Sequence, residues 1–93
     1  MNIIWDDEKN RKLKKERKLS FEEIERLILE RKYIDILKHP KHPGQNVFIV
    51  PIKGYIHAVP FMLDGENNIV LKTAFPSRKF HKKYAKKDNE NKT

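Results

Sequence analysis

The order of apolar and polar residues predicts two helices in the first part of the chain. Ser20 with Glu23 three residues later forms a capping box, and the apolar residues that follow recur at helical spacing, so a helix is expected up to about Lys32. Before it, Asp6 is a suitable N-cap for a helix that runs to about Arg17. Basic residues at positions 11, 14, 15 and 18 share one exposed face of that helix. The apolar residues 3–5 either pair with a sheet edge or staple the first helix.

Further along, apolar residues alternate with a period of two, which predicts strands. Lys53-Gly54 is a two-residue hairpin turn, in which glycine supplies a positive φ, and this turn would pair Ile52 with Tyr55. Pro60 cannot donate to a sheet ladder, so we expect it at a bulge or beyond the end of a shorter neighbouring strand. The predicted strands cover residues 33–38, 45–52, 55–63 and 69–75.

Alternation assigns the strand residues to two faces of the sheet. The predicted core face, covered by the second helix, carries Phe48, Val50, Ile52, Tyr55, His57, Val59, Phe61, Leu63, Ile69, Leu71 and Phe75. The opposite face has smaller side chains and includes Lys72 and Ala74. After residue 76 a polar run of helical character follows. The sequence therefore predicts an α+β domain over residues 1–87, followed by a disordered tail at 88–93. This domain has two N-terminal helices, a roughly four-stranded antiparallel meander sheet and a C-terminal helix.

Positive charge is concentrated near the end of the sequence. Of the net charge of +8, +6 lies in residues 71–93, and residues 71–87 hold seven Lys or Arg and no acid. This favours an anionic partner, either a nucleic acid, an acidic protein or a membrane surface. Cysteine is absent, which excludes disulfides and thiolate metal sites. No run approaches the roughly 20 apolar residues of a transmembrane helix, and no signal-peptide pattern is present, so we expect a cytoplasmic protein with no membrane partner.

The sequence contains no metal-ligand cluster, P-loop or glycine-rich dinucleotide turn. His39 and His42 are three residues apart in a loop that also holds two prolines and a glycine. Neither a carboxylate nor a third histidine lies near them in sequence, so a plain turn is expected rather than a metal site. We therefore expect neither metal nor cofactor.

The remaining side chains suit metal-independent RNA cleavage, in which the 2′-hydroxyl attacks the neighbouring phosphate. Arg78 is the first candidate to stabilise charge on that phosphate, because its guanidinium matches phosphate oxygens and stays protonated. Lys79 and Lys82 would assist it. His81 or His57 is the candidate for proton transfer.

Aromatic and basic residues around these candidates predict an RNA-contacting surface. Tyr55 or Tyr84 would stack on a base. The same residue types also permit plainer roles: His57 as a core histidine, Tyr84 as packing between the last helix and the sheet, and Arg78 as a surface residue at a helix start. The lysines assigned to RNA binding are Lys53, Lys72, Lys82 and Lys83.

Several short motifs in one order carry a family resemblance. They are Trp5-Asp6 with Lys9, Ser20-Phe21-Glu22-Glu23, Pro43-Gly44-Gln45, Val59-Pro60-Phe61 and the closing LKTAFPSRKFHKKY. Together, over about residues 3–84, they resemble the BrnT-like toxins of bacterial type II toxin–antitoxin modules. The resemblance implies a RelE-like fold, ribonuclease activity that halts translation, and neutralisation by a DNA-binding antitoxin, often of ribbon-helix-helix type. The RNA would be cleaved free or on the ribosome, and the family's basic residue near the end of the last strand corresponds best to Arg78.

Two other functions fit the same residues. A non-catalytic nucleic-acid-binding module would show salt-dependent binding and no cleavage product. A protein-interaction domain would use its basic face to receive an acidic partner, and it would bind nucleic acid weakly at physiological salt.

Overall fold

The computed structural model describes residues 2–85, which form an α+β fold of three helices and a six-stranded sheet. The predicted fold class is confirmed at this level. Residues 86 and 87 of the predicted domain, and the predicted tail at 88–93, lie outside the described residues. The helices are α1 (Asp7–Arg17), α2 (Phe21–Leu29) and α3 (Arg78–Phe80). The strands are β1 (Ile3–Ile4), β2 (Asp35–Lys38), β3 (Gln45–Ile52), β4 (Tyr55–Leu63), β5 (Ile69–Leu71) and β6 (Phe75–Pro76).

Both N-terminal helices begin at the predicted caps. The Asp6 carboxylate accepts hydrogen bonds from the Glu8 and Lys9 amides at 2.9 and 3.0 Å, and α1 ends at Arg17 as expected. The Ser20 hydroxyl accepts the Glu23 amide at 3.1 Å. Among the hydrogen bonds of residues 2–85, the Glu23 carboxylate does not return a bond to Ser20, so only half of the predicted capping box forms.

Helix α2 is shorter than predicted. It stops at Leu29 rather than near Lys32, because Arg31 adopts a left-handed conformation with φ 56°. The Arg31 amide then bonds to the Ile28 carbonyl at 3.0 Å, and the Lys32 amide bonds to the Leu27 carbonyl at 2.9 Å. This pair of bonds is the Schellman arrangement that ends helices, here with arginine where glycine is usual.

A buried asparagine joins the first two helices. The Asn10 side-chain oxygen accepts the Phe21 amide at 2.8 Å, and its NH₂ group donates to the Glu22 carboxylate at 2.7 Å. The first amide of α2, which has no partner within its own helix, is therefore satisfied by α1. The hydrogen bond from Asn10, with a smaller contribution from Lys14, lowers the pKa of Glu22.

The sheet is mixed, in the order β1-β5-β4-β3-β2, with β6 also paired to β4. Strands β2 to β5 form the predicted antiparallel meander, but β1 and β6 extend the sheet, and β2 starts at Asp35 rather than residue 33. Ile3 and Ile4 pair with the sheet edge, one of the two roles expected for residues 3–5, and they run parallel to β5. Tyr33 instead packs under the sheet, with its ring centroid 5.1 Å from that of Phe48. The predicted hairpin is confirmed, since β3 and β4 pair in the expected register around a turn with two positive φ angles.

The last predicted strand, residues 69–75, is interrupted by a bulge. Residues 72–74 lie between β5 and β6, opposite only two residues of β4, Val59 and Pro60. The Pro60 carbonyl accepts the Lys72 amide at 2.9 Å. The Pro60 nitrogen therefore also faces residues 72–74, because the N and C=O of one strand residue point to the same neighbour. A regular ladder would need an N–H at this nitrogen, which proline lacks. The expected bulge at Pro60 is thus confirmed.

The bulge reverses the predicted faces beyond it. Ala74, assigned to the smaller face, is fully buried in the helix-side core, and Phe75, assigned to the core face, is 36% exposed. An extra residue shifts every later side chain to the other face, because the strand period is two. Before the bulge, Phe48, Val50, Ile52, Val59, Phe61 and Leu71 lie in the predicted core, but Leu63, also predicted there, is 48% exposed at the end of β4.

Each face of the sheet has its own core. On one side α1 and α2 cover Phe48, Val50, Ile52, Val59, Phe61 and Leu71 with Leu13, Leu19, Phe21, Ile24 and Ile28. On the other side a smaller cluster joins Val47, Ile49, Ile56 and Ala58 to Tyr84. The predicted C-terminal helix supplies this second cover, but its α-helical part is only three residues long. It continues as a π-helical turn, His81–Ala85, named the π-turn below. In the described part of the chain, no helix has the length and apolar character needed to cross a membrane.

Candidate active site

The segment after β6 is fixed to the start of β4 through one residue. The Ile56 carbonyl accepts the Ser77 amide at 3.0 Å, and the Ile56 amide donates to Nδ1 of His81 at 3.2 Å. Ser77 also caps α3, because its hydroxyl accepts the Phe80 amide at 3.2 Å. The N–H and C=O groups of Ile56 are therefore both hydrogen-bonded, one to His81 after α3 and the other to Ser77 before it.

The structure brings three of the predicted site residues together at this edge. The rings of Tyr55 and His81 stack, with centroids 4.0 Å apart and planes 6° apart. The His57 ring meets the same tyrosine edge-on, at 6.2 Å and 84°. Tyr55 thus lies between two histidines that are 24 residues apart in the chain.

The two histidines are held in opposite tautomers. Nδ1 of His57 lies 2.8 Å from the Tyr55 carbonyl oxygen, which only accepts, so in the neutral ring this nitrogen carries the proton and Nε2 has the lone pair. Nδ1 of His81 accepts the Ile56 amide, so in the neutral ring its proton is on Nε2. One ring therefore offers a base and the other a hydrogen-bond donor. His57 is only 7% exposed, so little more than one edge of its ring meets solvent.

The cations follow directly after the anchored serine. Arg78 and Lys79 are exposed and open α3. The ammonium of Lys79 lies 5.9 Å from the centre of the Phe80 ring. Lys82 and Lys83 are exposed on the π-turn. These four cations lie on the same short segment as His81.

Three other predicted residues are engaged elsewhere. Tyr84 is buried, and its hydroxyl donates to the Asp35 carboxylate at 3.0 Å; burial, and then this carboxylate, raise its pKa. The Lys53 ammonium donates to the Lys18 carbonyl at 3.1 Å, which satisfies the end of α1. Lys72 lies at the bulge, beside α1. Because the Tyr84 ring is buried, it has no face on which an RNA base could stack.

A basic cleft between α1 and the bulge was not anticipated from the sequence. It has a volume of about 340 Å³ and is bordered by Lys9, Lys12, Arg17 and Lys72. The sequence pattern singled out a different basic face of α1, at positions 11, 14, 15 and 18. A helix with so few apolar residues gives little indication of which polar stripe will lie beside the sheet.

The loop histidines come close to each other without forming a larger ligand group. The ring centroids of His39 and His42 are 4.5 Å apart, and Nδ1 of His39 accepts the Lys41 amide at 3.1 Å. Within residues 2–85, no group of three or more His, Cys, Asp or Glu side chains is arranged to hold a metal ion.

Comparisons of this chain with protein-family models, with curated proteins and with solved structures found no match.

Proposed function

We propose that this protein is a metal-independent endoribonuclease that acts as the toxin of a type II toxin–antitoxin module, within the BrnT-like family and its RelE-like fold. The family assignment is supported by the ordered motifs between residues 3 and 84. The activity is supported by the cluster around Tyr55, in which neutral His57 offers a lone pair and neutral His81 a hydrogen-bond donor. Arg78 lies three residues before His81 on the same segment. The observation that carries the proposal is that Tyr55 contacts two histidine rings whose Nδ1 atoms meet opposite partners, a carbonyl oxygen at His57 and an amide at His81.

In the proposed reaction, Nε2 of His57 takes the proton of the RNA 2′-hydroxyl as its oxygen attacks the adjacent phosphorus. The Nε2–H group of His81 donates to a phosphate oxygen, and the Arg78 guanidinium stabilises the charge that develops there. The bond from phosphorus to the 5′-oxygen breaks, and this oxygen takes a proton from water or from the Lys79 ammonium. The products are a 2′,3′-cyclic phosphate and a 5′-hydroxyl.

The different contacts of the two Nδ1 atoms support separate roles for the histidines in this proposal. To give up a proton from Nε2 as a general acid, His81 would first have to carry protons on both ring nitrogens. The proton on Nδ1 would then face the Ile56 amide, which is itself a donor, so the two groups could not bond. His81 is therefore better placed as a fixed donor than as the group that transfers protons. His57 has no such conflict, because its Nδ1 proton is held by a carbonyl oxygen.

The decisive experiment is cleavage of purified RNA in excess EDTA by the wild-type protein and by Arg78→Ala. We expect products with 2′,3′-cyclic phosphate ends from the wild type and a loss of about 10²–10³-fold in the variant. Arg11→Ala, which removes an exposed arginine of α1, is the matched control and should cleave normally. Equal cleavage by Arg78→Ala would refute the role of Arg78. RNA binding without cleavage, on free RNA and on translating ribosomes, would leave the non-catalytic binding module.

A second variant tests the donor role of His81. In His81→Asn the side-chain oxygen can still accept the Ile56 amide, whereas the Nε2 donor is lost. We expect the fold to persist and cleavage to fall about 10²–10³-fold. His42→Asn in the exposed loop is the control. A fully active His81→Asn would exclude His81 from the mechanism.

An apolar groove favours a protein partner in addition. Leu29 is 69% exposed and Ile36 is 44% exposed, and both border a groove of about 400 Å³ between the end of α2 and the sheet. Exposed apolar surface of this kind often marks protein–protein contact. This groove supports an antitoxin as the partner. The test is to purify the protein together with the product of the adjacent gene. A ribbon-helix-helix protein that co-purifies would establish this partner.

A further inference from the structure

The cleft between α1 and the bulge gathers positive charge from distant parts of the chain. Lys9, Lys12 and Arg17 lie on α1, whereas Lys72 follows β5 and is half-buried at the bulge. Glu16 is the only acid among the residues lining the cleft. The ion pairs formed within residues 2–85 involve none of these four cations. Tertiary structure thus holds four cations around the cleft, against one acid, Glu16, in its lining.

The shape and lining of the cleft suit a phosphate and the sugar beside it. The cleft is concave, and its volume of about 340 Å³ falls within the range of small-ligand sites rather than that of flat protein interfaces. Leu13 and Phe21 add apolar surface to the lining, and Thr73 adds a hydroxyl donor at the rim. A nucleotide unit has the same combination of an anionic group and an apolar edge.

The cleft and the histidine cluster lie along the same edge of β4. Lys72 bonds to Pro60, whereas Pro76 pairs with His57. Three residues of strand separate these anchor points, which corresponds to about 10 Å. The His57 side chain also projects from the face of the sheet that α1 covers, since it shares the parity of Val59 and Phe61. One RNA strand can therefore contact both places.

We propose, on the basis of the proposed RNA substrate, that this cleft is a phosphate-binding subsite for the RNA backbone next to the scissile phosphate. Lys9, Lys12, Arg17 and Lys72 bind the backbone oxygens, and the subsite fixes the register of the strand over His57. Phosphate contacts of this type position a nucleic acid without reading its sequence. The cleft therefore contributes affinity and placement rather than base preference.

The test measures binding of a fluorescent 2′-O-methyl RNA oligonucleotide, which lacks the attacking hydroxyl, between about 50 and 200 mM salt. Each phosphate contact on a single strand contributes about 0.7 to the slope of log affinity against log salt, so loss of two contacts in Lys12→Gln/Lys72→Gln lowers the slope by about 1.4. Because Lys72 is half-buried, Lys9→Gln/Lys12→Gln is measured as well, on two fully exposed positions. Lys15→Gln/Lys38→Gln removes the same charge outside the cleft and is the control.

We expect both cleft variants to lose more slope than the control. Equal slopes for cleft and control variants would overturn the subsite, and polyglutamate displacing the RNA as effectively as unlabelled RNA would overturn it in favour of an acidic protein. Cleavage of unmodified RNA is measured in parallel. Cleavage by the wild type with no cleft effect removes the subsite and leaves the ribonuclease. A cleft effect without any cleavage, on free RNA and on translating ribosomes, leaves the subsite and removes the ribonuclease.

Discussion

The protonation state of Tyr84 is tied to the fold. Its ring is buried against the second face of the sheet, and its hydroxyl donates to Asp35. The same Asp35 carboxylate accepts the Ile36 amide at 2.8 Å, so one acid connects the π-turn to the edge strand β2. Loss of the phenolic proton would place two negative charges side by side in a half-buried site.

We therefore predict that stability falls at alkaline pH through Tyr84. Its pKa in the folded protein is raised above the usual 10.0, so its stabilising effect is complete below about pH 10 and is lost as pH rises through the folded-state pKa. Tyr84→Phe should cost about 1–2 kcal/mol at pH 7, because Asp35 loses a hydrogen-bond donor. Urea denaturation at neutral and alkaline pH measures both effects.

The outcome at high pH discriminates between packing and ionisation. The difference between the wild type and Tyr84→Phe should shrink as pH rises, because phenylalanine cannot ionise. Tyr33→Phe, which alters a half-buried tyrosine on the other face, is the control and should not reproduce this pH dependence. A constant difference at every pH would show that the Tyr84 hydroxyl does not govern alkaline stability.

At the scale of elements, Asn10 sets how α1 meets α2. We predict that Asn10→Ala destabilises the fold by about 1–3 kcal/mol, because the buried Phe21 amide loses its acceptor. Chemical denaturation measures this cost. Lys15→Ala, an exposed change on the same helix, should have almost no effect.

The same substitution has a signature in the titration of Glu22. Its lowered pKa depends first on the Asn10 amide, so Asn10→Ala should move this pKa towards its ordinary value, as followed by NMR. A group with a depressed folded-state pKa stabilises above its unfolded pKa, and this stabilisation is lost as pH falls through the folded value. The wild type should therefore lose slightly more stability than Asn10→Ala on acidification. An unchanged Glu22 titration would contradict the assigned hydrogen bond.

Elements specified by neighbouring residues were predictable from the sequence. The caps at Asp6 and Ser20 and the Lys53-Gly54 hairpin depend on residues within a few positions of one another. The apolar residues 3–5 left a sheet-edge strand open, but no local pattern indicates that residue 3 pairs with residue 69 or that the pairing is parallel. Pro60 signalled a bulge, but only the pairing partner shows that the extra residue lies in 72–74.

The candidate site was predictable in its residue types and not in its geometry. Histidine, tyrosine and arginine in a basic segment indicated RNA chemistry, and three of the chosen side chains, those of Tyr55, His57 and His81, do come together. The tautomers were beyond the sequence, because they are set by the Ile56 amide and the Tyr55 carbonyl. Burial likewise decides the role of Tyr84, and burial depends on the whole sheet.

The whole molecule carries 21 basic and 13 acidic residues, and its charge should limit its stability. The ion pairs within residues 2–85 are exposed at the surface, where they contribute little. We predict that added NaCl raises the Tm, because it screens repulsion among the excess cations. In a domain of this size, each kcal/mol gained shifts the Tm by about 4–8 °C.

A charge-altered variant makes this test specific. Each Lys→Glu change removes two units of charge, so Lys15→Glu with Lys38→Glu lowers the net charge from +8 to +4. The thermal transition of this variant should respond less to NaCl than that of the wild type. A Tm that falls with salt in the wild type would show that attractive pairs outweigh repulsion.

The two hydrogen bonds at Ile56 also determine when during biosynthesis the site can exist. The β3–β4 hairpin is translated before residues 77–81, and protein segments fold as they leave the ribosome. A nascent chain that stops before Ser77 has Tyr55 and His57 but lacks the histidine that stacks on this tyrosine and the arginine beside it. Under the proposed mechanism, translation products that stop before Ser77 are harmless, and a cell that makes this protein meets its activity only once the codons for residues 77–81 have been read.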